Sequence, residues 1–104
     1  MTPTPDPVAI GQVIAAEVGR RLVDCPDDDI AERWRRNGCR FTATGRTVGV
    51  LAIVEWRLHF RGGATTGAVT VYPDGSCRIG ASIVHTVTAA ATTVAAHVVS
   101  NLPY

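Results

Sequence analysis

Arg57, His59 and Arg61 stand at every second position, and Arg78 follows in the next hairpin. In an extended chain alternate side chains share one face. These four would form a patch for a phosphate-like or carboxylate-like anion, with guanidinium groups as planar donors and His59 as the titratable member. The same residues also suit the solvated side of an antiparallel sheet, which binds nothing. Glu55 shares the alternation and could act as a base beside His59 or His85 if a pocket formed there.

Other chemistry finds less support. Cys25, Cys39, Cys77, His59, His85 and His97 include zinc-ligand types, but no two stand at a short ligand spacing. Cys77 reads as a small buried hydrophobe and His97 as a satisfied core or interface residue. Ser76, Ser82 and Ser100 lack a nucleophile-elbow setting, and no Cys–His pair can be placed. Gly62-Gly63 follows a strand but opens no helix, so it reads as a turn and not a phosphate loop. No catalytic residue, metal or cofactor is expected.

The last 26 residues, after Arg78, contain no Asp, Glu, Lys or Arg. A helix there would carry its apolar stripe on Val87, Ala91, Val94, Val98 and Leu102, leaving Thr88, Thr92, Thr93, Ala96 and Ser100 outside. Small, mildly polar surfaces are easily dehydrated. Thr88, Thr92, Ala96 and Val99 are therefore the candidate interface, covered by the first helix or by a second copy in a two-fold dimer.

The elements that would position these groups can be read in order. Residues 1–6 alternate proline and form an extended arm. Asp6-Pro7 is a helix start, and Ile10, Ile14, Val18 and Leu22 give a buried stripe to about Val23. Asp27, Asp28 and Asp29 open a short second helix ending in Arg33, Arg35 and Arg36, with Asp29 and Glu32 as a capping box and Ile30 and Trp34 as anchors. From Cys39 the period becomes two. Arg40 to Thr44 forms a short strand turned by Gly45-Arg46. Val48 to Phe60 follows, apolar on Val50, Ala52, Val54, Trp56, Leu58 and Phe60 and, through Leu51 and Ile53, buried on both sides in its first half. Thr65 to Tyr72 and Ser76 to His85 flank a type I turn at Tyr72-Pro73-Asp74-Gly75, with Ala81 and Ile83 on the apolar face. The expected fold is α+β, with an antiparallel three- to four-stranded meander and N-terminal and C-terminal helices on one face. The order is α-α-β-β-β-β-α, in a single domain over 7–104.

Composition bounds the partners. Net charge is +1, so global electrostatics draws the chain neither to nucleic acid nor to a membrane, and near-neutrality favours self-association. The order helix, three strands, helix resembles that of the double-stranded RNA-binding domain in element order alone. Where that domain places lysines at the start of its last helix, this chain has His85-Thr86-Val87-Thr88, so nucleic acid is not an expected partner. All ten basic side chains are Arg, a bias written by a GC-rich bacterial or phage genome. An odd cysteine count and no signal-like start point to the cytoplasm. These features suit a non-enzymatic, self-associating interaction domain of the adaptor, chaperone, immunity or phage-accessory kind. Anion or nucleic-acid binding is the alternative, and a small enzyme or ligand-binding domain the second.

Overall fold

The computed structural model describes residues 5–104; residues 1–4 of the expected arm lie outside the described residues. Helix α1 (Pro7–Val18) starts where Asp6 predicts: its carboxylate accepts from the Val8 and Ala9 N–H groups at 3.0 and 3.4 Å. The helix then widens into one π turn, Gly19–Val23, closed by the Asp24 N–H on the Gly19 carbonyl at 3.0 Å. A stripe repeating every four residues drifts by about 40° per step around an ideal helix of 3.6 residues per turn. The wider π turn corrects that drift and keeps Leu22 fully buried beside Ile14 and Val18.

Helix α2 (Asp28–Arg36) is capped by Asp27, which accepts from Asp29 and Ile30 N–H, and not by the capping box expected at Asp29. Trp34 and Ala31 are buried and Ile30 is half-buried against the core. The basic last turn does more than complement the helix dipole. Arg33 donates to the Leu102 and Pro103 carbonyls at 2.5 and 3.3 Å and lies 4.4 Å from the centre of the Tyr104 ring. Arg36 donates to the Tyr104 carbonyl, and Asn37 to that of Pro103. Residues 102–104 are thereby docked on α2.

Five antiparallel strands follow in the order β1-β2-β3-β4-β5: β1 (Arg40–Val48), β2 (Leu51–Phe60), β3 (Gly63–Val71), β4 (Cys77–Ile79) and β5 (Ser82–Val84). The meander is as expected, with more strands. Two corrections explain the difference. First, β1 does not turn at Gly45-Arg46 but continues to Val48, reversing at Gly49-Val50. Gly49 has φ +60°, which suits the first central position of a two-residue type II′ turn. Gly45 stays in the strand because α1 lies directly on it: a Cβ there would sit 2.6 Å from Pro7. Second, Gly80, also at φ +60°, splits the expected 76–85 strand into two short ones. Val84 then pairs with Cys77, while Ile83 pairs with Arg78 on the opposite face and is 63% exposed. Ala81 falls in the turn. The Tyr72 turn forms as predicted, with Gly75 N–H on the Tyr72 carbonyl at 2.9 Å and the Asp74 carboxylate accepting from the Ser76 N–H and hydroxyl.

Helix α3 (Val87–Ser100) closes the domain, capped by the Thr86 hydroxyl on Ala89 N–H. The core lies between one sheet face and the helices: Ala52, Val54, Trp56, Leu58, Val69, Val71 and Cys77 meet Ile14, Val18, Leu22, Val94 and Val98. α1 covers β1 and β2, and α3 lies beside it on the β4–β5 side. Among the described residues no helix covers the other sheet face, so Leu51 and Ile53 are half-buried and not enclosed on both sides. No helix of the described residues is long and apolar enough to cross a membrane.

Candidate functional site

The open sheet face is built by strict alternation and register. Arg40 pairs with His59 and Thr42 with Arg57 across β1 and β2, and Thr66 stands opposite Arg57 on β3. Thr42, Thr44, Glu55, Arg57, His59 and Thr66 line an open depression of about 610 Å³. The Thr42 hydroxyl is 3.2 Å from His59 Nε2. Partial desolvation, then the neighbouring Arg40 and Arg57 cations, hold the His59 imidazole below its ordinary pKa. Glu55 is tied to Arg46 at 3.1 Å, an exposed ion pair of little energetic weight.

The four predicted anion-patch residues are not all brought together. Arg57 and His59 are adjacent on the open face. Arg61 sits in the turn after β2, its N–H donating to the Asn37 carbonyl and its side chain lying beside Gly38. Arg78 pairs with Thr70, which pairs with Ile53, six positions along β2 from His59 and about 20 Å away at the rise of an extended strand. Sequence reasoning missed Arg40, which takes the place given to Arg78. Its signal was legible in the alternation Arg40, Thr42, Thr44 of the expected first strand, which the pairing with β2 sets beside Arg57 and His59. The far end of the same face is apolar, with Val48 and Ile83 exposed by 44% and 63% and Val50 in the adjoining turn by 62%.

The candidate interface on α3 is arranged as the helical spacing dictates. Thr88 and Ala96 are exposed, and Thr92 and Val99 are half-buried. Thr92, Thr93 and Ser100 each donate their hydroxyl to the carbonyl four residues earlier, at 2.9–3.2 Å. The polarity of these three side chains is thus spent on the helix itself. Helix α1 flanks α3 without closing over Thr88 or Ala96. Ala96 and Val99 continue into a groove of about 530 Å³ shared with Arg20, Arg21, Cys25 and Ile30. Both of those arginines are held by Glu17, whose carboxyl they keep below its ordinary pKa.

The remaining titratable candidates stand apart. His85 is exposed, and His97 meets the Trp56 ring edge-on at 5.6 Å. Cys77 is fully buried, and burial raises its thiol pKa; Cys25 and Cys39 are free and half-buried. Among the described residues no three metal-ligating side chains cluster. No family model, curated protein or solved structure matches the chain.

Proposed function

We propose that the protein is a small non-enzymatic interaction domain, of the adaptor, chaperone, immunity or phage-accessory kind, that self-associates through the outer face of α3. The observation that carries this reading is a helix surface free of Asp, Glu, Lys and Arg, on which the Thr92, Thr93 and Ser100 hydroxyls bond their own backbone. Such a face strands few polar groups when dehydrated, and its small side chains let a second α3 approach closely. A net charge of +1 adds little repulsion between copies. The free thiols fit a reducing setting, and the cytoplasm is part of the proposal.

Ala96→Asp tests it directly. The position is exposed, so the monomer still folds, but a two-fold contact would bury the carboxylate twice. Dimerisation is expected to weaken by about 100-fold or more. Light scattering should give a dimer for the parent protein at high micromolar concentration and a monomer for the variant. A parent protein that stays monomeric there overturns the reading.

One further observation favours a second reading, anion binding at Arg40, Arg57 and His59: two guanidinium groups with no acidic partner among the described residues flank one imidazole. The His59 ring, followed by NMR, should titrate below an ordinary histidine. Inorganic phosphate should move it back up, and salt should abolish that movement. A titration insensitive to phosphate at low salt removes the anion site.

A further inference from the structure

We propose that the groove between α1 and β1 takes an extended acidic peptide, which joins the sheet as an additional strand. β1 is an edge strand nine residues long, and among the described residues it pairs only with β2. Because Val48 and Leu51 flank a two-residue turn, they form a hydrogen-bonded pair, and such pairs alternate along an antiparallel ladder. The bonds to β2 therefore come from Arg40, Thr42, Thr44, Arg46 and Val48. Phe41, Ala43, Gly45 and Thr47 direct their N–H and C=O groups to the free edge. An unpaired row of this kind is a template for another strand.

The edge is not bare. Beside it lies a cavity of about 380 Å³ walled by Val8, Gly11 and Ala15 of α1 and by Ala43 and Gly45 of β1. The walls are mostly small and apolar, with Gln12 and Thr44 as their polar members, and Val8 is 61% exposed. Alternate side chains of an added strand would enter this cavity; the others would lie on the open sheet face. There they would meet Arg40 on β1 and Arg57 and His59 behind it, with Arg46 already paired to Glu55. Charge complementarity selects an occupant with apolar residues on the groove side and Asp or Glu on the open side. A second copy is the poorer partner, because pairing β1 with itself gathers the Arg40 and Arg46 side chains of both copies on one face.

The probe is a fluorescent peptide of alternating valine and aspartate, followed by anisotropy on the full chain, with a valine–lysine peptide as control. Ala43→Pro removes an outward N–H while leaving the ladder to β2 intact. It should weaken binding about tenfold, the worth of one hydrogen bond with its geometry. Val8→Glu, at an exposed position that tolerates change, should weaken it comparably and keeps the test decisive if Ala43→Pro does not fold. Ala96→Asp should leave peptide binding unchanged, which separates this site from the α3 face. The proposal is overturned by no binding of the aspartate peptide at millimolar concentration, by equal binding of the lysine peptide, or by unchanged affinity in Val8→Glu. It is equally overturned if Ala43→Pro, and not Ala96→Asp, dissociates a dimer of the parent protein.

Discussion

Trp56→Ala is expected to lower the free energy of unfolding by about 3–5 kcal/mol. The indole is 3% exposed, stacks on Phe41 with ring centres 5.9 Å apart, and meets His97 edge-on. It lies across its register partner Gly67 so closely that a Cβ there would fall 2.4 Å from the ring. The two positions are therefore coupled, and a double-mutant cycle should show it. Gly67→Ala alone should cost about 1–3 kcal/mol by overpacking. In the Trp56→Ala background the same methyl group enters the vacated space, so it should cost nothing or recover part of the loss. Trp56→Phe should retain most of the parent stability, because the buried Nε1–H has no partner among the described residues and phenylalanine removes it. Urea unfolding of the parent and the four variants decides the matter; strict additivity of the two alanine changes would sink the contact argument.

Gly45→Ala is the second large effect, expected at about 3 kcal/mol. The new methyl group would meet the Pro7 Cβ and carbonyl oxygen at 2.6 Å, and the obstacle is backbone, which cannot rotate away. Relief requires the start of α1 to lift from β1. Hydrogen exchange should accordingly quicken in the first turns of α1 more than in α3. Uniform acceleration across both helices would point to global destabilisation instead and contradict this account. The same displacement would open the groove beside β1, so peptide binding there should fall with it.

Much of this architecture was legible before any coordinates. Asp6-Pro7 marked the start of α1, the spacing from Ile10 to Leu22 marked its buried side, and the alternation from Ala52 to Phe60 marked the core face of β2. These signals are local: a cap, a helical stripe and a pleat each depend on residues a few positions apart. Glycine was where local reading went astray. Gly45 and Gly49 look alike in sequence, yet Gly49 turns the chain whereas Gly45 stays extended under Pro7, 38 residues away in the chain. Misplacing that turn took Arg46 out of the strand, while the pairing of Arg78 with Thr70, set by the next hairpin, keeps Arg78 out of the patch.

The charge-free stretch after Arg78 and the alternating Arg57 and His59 were determined by the sequence alone, because composition and periodicity need no partner to be read. Tertiary structure decided what those features face. It set Arg40 beside His59 through strand register, and it turned the Arg33 and Arg36 side chains from helix-end charges into anchors for residues 102–104. It also left β1 as an edge with an apolar groove at its side. Register, edges and close approaches are set by the packing of segments distant in the chain. No local pattern encodes them singly, since each depends on how the whole chain satisfies its buried surface and its backbone hydrogen bonds at once.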